Sequence, residues 1–265
     1  QYKVSIKRKC YLLSVLLMTV WLTGCVQEEF ESTPSPAGNG IRFTLTVPDV
    51  NLPSVSSRTM TGTGTAKKED EIETVDILVF DMSKTPAVFL EWVSATGVTQ
   101  DLADNSTVSF SAVLSPTTAS TCIVVVANKE LDNIVSGFTK GATTKVEAME
   151  KMLHTQTGKW LADGSTTGGY TRIPMYGEKV ISKITPSMDP ITGINMKRML
   201  ARIDIRNNSA TSNFTVEEVY LANYNTTGYI APAWNTNGQV TDPVPDTPVL
   251  PAGSGKKTEE GDAIL

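Results

Sequence analysis

Two segments of this chain, TVDILVFD at 74–81 and CIVVVANK at 122–129, are almost uninterrupted runs of apolar residues. Runs of this length predict strands that are covered on both faces. Two further segments, IRFTLTV at 41–47 and TVSFSAVL at 107–114, alternate apolar and polar residues, as a strand with one buried face does. Because Thr, Val and Gly are also frequent, the sequence predicts a mainly β protein.

One helix is predicted at TTKVEAMEKML (143–153), where apolar residues repeat on one face. Thr144 and Glu147 have the spacing of a capping box at its start. His154, the single histidine, follows this helix, and no Cys, Asp or second His stands at ligand spacing from it. We therefore expect no metal site and no Ser-His-Asp chemistry.

The N-terminal segment has the composition of a secretory signal. A basic KRKC precedes the apolar stretch YLLSVLLMTVWL, which is shorter than the ~20 residues of a membrane-spanning helix. The stretch ends in LTGC, which is typical of a bacterial lipobox and predicts residues 1–24 as a signal peptide. Cys25 would be the acylated first residue of the mature chain. Cys122 then remains alone in an apolar strand, where a core role is expected.

The charge and the motifs exclude several classes of function. Without residues 1–24 the chain has 19 basic and 28 acidic residues and a net charge of −9, which argues against nucleic acid as a partner. The segment AGSGKKT (252–258) lacks the first glycine of a phosphate-binding loop, and Lys257 stands where Ser or Thr is needed. No catalytic residue, cofactor or enzymatic activity is predicted.

Several segments occur in a familiar order. The lipobox, the alternating strand and a loop arginine are followed by ETVDILVFD (73–81), IVVVANK (123–129), IPMYGE (173–178) and MKRMLARIDI (196–205). This order resembles the fimbrillin family of Bacteroidetes, the subunits of type V pili. The resemblance implies two transthyretin-like Greek-key β-sandwich domains with one or two short helices. With a break at ITPSMDPITG (184–193), the domains are expected at 59–186 and 187–265, the second being incomplete.

The resemblance also implies a mechanism of assembly. In the family, a protease with arginine or trypsin-like specificity cuts the loop after the first strand, and a segment of the next subunit fills the groove that this strand leaves. Carried over to this chain, residues 25–58 form a propeptide, Arg58 precedes the cut and Thr59 becomes the new N-terminus. Arg42, the competing arginine, lies within the strand and should be protected. The removable strand spans 41–47, and its core face is Ile41, Phe43, Leu45 and Val47.

The predicted function is that of a structural pilin, anchored to the outer membrane by lipid before processing and then assembled into surface fimbriae. Its partners would be copies of itself or related pilins, with host or bacterial surfaces as adhesion targets. One alternative is an accessory or anchor pilin, or an adhesin, that keeps its first strand. An alternative of another class is a surface glycan-binding lipoprotein that uses Trp92, Trp160 or Trp234, although such residues more often pack within a β-sandwich.

Overall fold

The computed structural model describes residues 41–46, 71–100, 107–155, 172–200, 217, 225–241 and 249–252. Within these ranges the chain forms eleven strands and two short helices. In chain order they are β1 (Ile41–Thr46), β2 (Val75–Asp81), β3 (Val88–Ser94), β4 (Thr96–Gln100), β5 (Thr107–Ala112), β6 (Thr121–Ala127), α1 (Asp132–Val135), α2 (Lys145–Lys151), β7 (Leu153–Thr155), β8 (Met175–Ile181), β9 (Ile191–Asn195), β10 (Lys197–Arg198) and β11 (Thr227–Tyr229).

The strands form two main sheets. The four-stranded sheet has the order β4-β5-β1-β9, the five-stranded sheet has the order β10-β8-β6-β2-β3, and β7 pairs with β11 separately. Apolar side chains from both main sheets form one buried cluster between them, which makes the structure a β-sandwich. The predicted mainly β class and the short helices are confirmed. The transthyretin-like and Greek-key details stay predictions.

The two long apolar runs are the central strands β2 and β6, which pair antiparallel from Val75↔Ala127 to Asp81↔Thr121. Alternate residues of both strands face the sandwich core, and the others face a second buried cluster that includes residues of α1 and α2. Both faces are therefore covered, as the apolar runs predicted. Cys122 is buried on the helix side of β6, and its thiol is free.

Helix α2 begins as the sequence predicted. The Thr144 hydroxyl accepts a hydrogen bond from the Glu147 amide (3.2 Å), and the Glu147 carboxylate accepts one from the Thr144 amide (2.8 Å), so the capping box is confirmed. The helix ends at Lys151, earlier than predicted, because Met152 leaves helical geometry and the chain enters β7. His154 therefore lies in a short strand and pairs with Gly228. No helix in the described part of the chain is long and apolar enough to cross a membrane.

At two points in the described ranges, a single residue separates a strand of one sheet from a strand of the other. One is Ala95, between β3 and β4, and the other is Met196, between β9 and β10. Strand β9 begins within the segment that was expected to separate two domains, yet it pairs with β1 and contributes to the sandwich core. The domain division between residues 186 and 187 stays a prediction. Strands β9 and β10, although they follow residue 187, belong to the same two main sheets.

Gly177, in the IPMYGE segment, allows the chain at the second of these points to lie close to β8. A Cβ atom at this position would lie 2.7 Å from the Met196 sulfur, 2.8 Å from the Ile194 Cγ2 and 3.2 Å from the Asn195 carbonyl oxygen. Contacts of this length require the neighbours to move, so the absence of a side chain sets how closely β9 packs on β8.

We predict that Gly177→Ala lowers the free energy of unfolding by ~1–3 kcal/mol, as overpacking of a filled core does. The matched control is Gly137→Ala, whose Cβ would make only an ordinary contact of 3.6 Å with the Ile134 carbonyl. Urea unfolding of the two variants measures the difference. Equal stability of the two variants would contradict this account of Gly177.

Candidate functional site

The first strand, β1, lies inside its sheet rather than at an edge. On one side it pairs antiparallel with β5 along its whole length, from Ile41↔Ala112 to Thr46↔Thr107. On the other side it pairs in parallel with β9. Since both of its edges are hydrogen-bonded, loss of β1 would leave two facing rows of unpaired backbone groups on β5 and β9.

The inward face of β1 is fully part of the sandwich core. Ile41, Phe43 and Leu45 expose 3%, 1% and 0% of their surface, respectively. The Phe43 ring stacks on that of Phe110 in β5, with centroids 5.0 Å apart and planes 7° from parallel. At ~1.5–3 kcal/mol for each buried side chain, this face stabilises the fold by on the order of 5–9 kcal/mol, which is comparable to the ~5–15 kcal/mol of a whole domain.

The pairing of β1 with β9 is less regular than that with β5. Phe43 lies opposite Ile191 and Leu45 lies opposite Ile194, so β9 contains one extra residue between these pairs. Gly193, within this bulge, has a φ of +71°, which a residue with a side chain rarely adopts. The continuous contact of β1 is therefore the one with β5.

The structure places only some of the predicted site residues. Ile41, Phe43 and Leu45 lie in the core, and Arg42 lies within β1 opposite Ser111, where its backbone belongs to the sheet. That these residues leave with the strand stays a prediction. The others lie outside the described residues: Cys25, Val47, Arg58 and Thr59. Their roles also stay predictions.

Sequence reasoning missed a buried polar cluster on the helix side of the five-stranded sheet. The Lys145 ammonium, fully buried, lies 2.6 Å from the Glu178 carboxylate and donates to the Gly238 carbonyl at 2.6 Å. The same Glu178 oxygen accepts from the Tyr176 hydroxyl (2.6 Å), and the other accepts from the Val240 amide (3.2 Å). These bonds join α2, β8 and the segment at 235–241. No motif indicated the cluster, because the three segments that form it are far apart in the sequence.

Neighbouring titratable groups of this cluster are held neutral. Burial raises the pKa of the Cys122 thiol to about 12 and, together with the Glu178 charge, raises the pKa of Tyr176 well above its ordinary value. A protonated, buried thiol is a poor nucleophile. Within the described ranges no group of His, Cys, Asp and Glu side chains is arranged to hold a metal ion.

The two described tryptophans that were considered for glycan binding both contribute to packing. Trp92 and Trp234 are half-buried against the helix-side apolar cluster. Trp234 also contacts the Tyr229 ring edge-on, with centroids 4.9 Å apart. Trp160 lies outside the described residues. This packing gives the glycan-binding alternative no support.

The family follows from comparison with known proteins. Residues 41–245, which are most of the chain and begin at the first residue of β1, match the family model described as "Major fimbrial subunit protein (FimA)". The chain belongs to the major fimbrial subunit (FimA) family. A comparison with curated proteins gave no significant match. Membership supports a structural role as a fimbrial subunit at the cell surface, in assembly with other pilin copies.

We predict that Phe43→Ala lowers the free energy of unfolding of this fimbrial subunit by ~3–5 kcal/mol, because it removes a stacked ring from a filled core. The control is Thr46→Ala in the same strand, whose side chain is exposed and whose loss should change the value by less than ~0.5 kcal/mol. Denaturant unfolding measures both. Similar small losses in the two variants would show that β1 does not stabilise the fold.

A second prediction concerns pH. Burial raises the pKa of Asp76, which accepts a hydrogen bond from Ser94 (2.7 Å), above its ordinary value of 3.8. Its contribution to stability is therefore greatest below that value and is lost as the pH rises through the folded-state pKa. Asp76→Asn should consequently gain stability relative to the unaltered chain between about pH 3 and pH 7.

Asp81 is the matched control, because hydrogen bonds from Ser83 lower its pKa. Asp81→Asn should lose stability relative to the unaltered chain over the same interval, the opposite sign. Unfolding curves for the three chains at several pH values give both differences. Parallel pH profiles for the two variants would contradict the opposite pKa shifts of Asp76 and Asp81.

Proposed function

We propose that this chain is a pilin precursor that is exported as a lipoprotein and assembles when its first strand is removed and replaced by a segment of another subunit. The observation that carries the proposal is the position of β1, which is the first strand in the described part of the chain yet lies between β5 and β9 inside a sheet. A strand with this connectivity can be released by a single cut on its C-terminal side.

The energetics favour a process in which removal of β1 is coupled to its replacement by another strand. Loss of the inward face of β1 would expose an apolar groove lined by Phe110 and Val108 of β5 and by Ile191 and Ile194 of β9. Both edges of this groove would present unpaired backbone groups to a strand from another chain. The free energy lost with β1 is regained only when an alternating apolar strand fills the groove, which drives subunits together.

In the proposed sequence of events, Cys25 carries the lipid that anchors the precursor to the outer membrane. A protease hydrolyses the peptide bond between Arg58 and Thr59, so that residues 25–58 are no longer covalently joined to the sandwich. Subunits beginning at Thr59 then join into fimbriae that support adhesion. Arg42 is protected from the same protease by the position of its backbone within the sheet.

The test is digestion of the purified full-length chain with an arginine-specific endoprotease, which does not cut at Lys67 and Lys68 between the predicted cut and β2. We predict a product that begins at Thr59 and forms ladders that resist SDS. Arg58→Gln and Arg58→Lys should both remain uncut and monomeric, whereas Thr59→Ala should be cut and assemble. N-terminal sequencing and gel electrophoresis measure the two results.

Two outcomes would overturn the proposal. A product that keeps residues 41–58 and stays monomeric would favour the alternative of an accessory or anchor pilin, or an adhesin, with a permanent first strand. Ladders that form equally from Arg58→Gln would show that assembly does not depend on this cut.

A further inference from the structure

The segment that leads into β2, residues 71–74, is held in part by Asn128, which follows β6. Asn128 follows the last residue of β6 and has a φ of +58°, a left-handed conformation that Asn tolerates better than most residues. Its side-chain oxygen accepts from the Glu73 amide (2.9 Å), and its side-chain nitrogen donates to the Glu71 carbonyl (2.8 Å). Its own amide donates to the Thr74 carbonyl (2.9 Å).

These bonds reproduce one more step of the β2–β6 ladder. The regular pairing ends at Val75↔Ala127. Beyond this pair, the side-chain amide of Asn128 acts as a peptide group would: it donates to the Glu71 carbonyl and accepts from the Glu73 amide. The same side-chain nitrogen also donates to the Ile173 carbonyl (3.0 Å), next to the start of β8. One residue thus extends the sheet across three strands.

Other contacts hold the same segment. The Ile72 amide donates to the Gln100 side chain (3.0 Å), and the Ile72 side chain is buried in the sandwich core. Arg172 forms ion pairs with Glu71 (3.2 Å) and Glu73 (2.8 Å). Both pairs are partly exposed, and such pairs contribute little on their own. The Asn128 side chain makes three hydrogen bonds, two of them partly buried, and among these contacts it is the one that joins the segment to the end of β6.

We propose that Asn128 is the positioning residue that confines the loss of the first strand to the four-stranded sheet. None of its hydrogen-bond partners belongs to β1, β5 or β9, so its bonds remain when β1 departs. The retained chain would begin upstream of Glu71, and a new chain end close to a central strand frays unless it is tied down. Asn128 holds this segment in place, and the five-stranded sheet beneath the opened groove therefore stays intact.

This inference rests on the proposed function, and the experiment separates the two. Hydrogen exchange is measured by mass spectrometry on the full-length chain before and after the arginine-specific cut. Amides of β5 report departure of β1, and amides of β2 report opening of the five-stranded sheet. The variant is Asn128→Gly, which accepts the positive φ but lacks the side-chain bonds. Asn128→Ala removes the same side-chain hydrogen bonds but also strains the backbone, because alanine disfavours the positive φ. Comparison with Asn128→Gly therefore separates the effect of the lost bonds from that of the strain.

In the cut chain before it assembles, exchange in β5 should be faster than in the uncut chain, while β2 keeps its protection. In Asn128→Gly, exchange in β2 should rise on the order of tenfold or more, as loss of the three side-chain hydrogen bonds implies. Unchanged protection of β2 in Asn128→Gly would overturn the role of Asn128. If β5 stays protected in the cut monomer, strand release fails instead. Exchange in β2 is then compared between the unaltered chain and Asn128→Gly without the cut, and equal protection would again overturn the role of Asn128.

Discussion

The packing of the first strand between β5 and β9 is the constraint on which the rest of the sandwich depends. The inward residues of β1 complete an apolar core to which both sheets contribute, and the Phe43 ring lies flat on Phe110 at 5.0 Å. A sheet that lacks a strand from its interior cannot close this core with its remaining strands. The fold therefore requires some strand at this position, which Ile41–Thr46 occupies.

The five-stranded sheet is stabilised in a different way. Its central strands are covered on one face by the four-stranded sheet and on the other by α1, α2 and the segment that contains Ile230. The Lys145–Glu178 pair joins this cover to β8, and the fully buried Lys145 side chain could not lose its partner without a large loss of stability. Contacts of this sheet with the helices do not involve β1, so they would remain if β1 were removed.

Much of this architecture could be predicted from the sequence, but only where a local pattern carried the information. The apolar runs gave β2 and β6, the alternation gave β1 and β5, and the pair Thr144–Glu147 gave the start of α2. Strand β9 could not be predicted, because its ITGIN sequence is short, contains a bulge at Gly193 and follows a Pro-rich segment. Its identity as a strand depends on pairing with β1, which is a property of the tertiary structure.

The side chains whose partners are distant in the sequence were the least predictable. Asn128 was visible only as the end of an apolar run, and its role depends on the backbone conformation that turns its amide toward Glu71 and Glu73. Lys145 reads as an ordinary exposed residue of a helix start, yet it is buried because the turn around Gly238 lies over it. In both cases the deciding partners are distant in the sequence.

The most direct test of the account is the structure of the assembled fimbria, determined by electron cryo-microscopy of filaments made from this chain. The account predicts that the strand between β5 and β9 belongs to a neighbouring subunit and that the chain of each subunit begins at Thr59. A filament in which Ile41–Thr46 of the same subunit still occupies that position would contradict it.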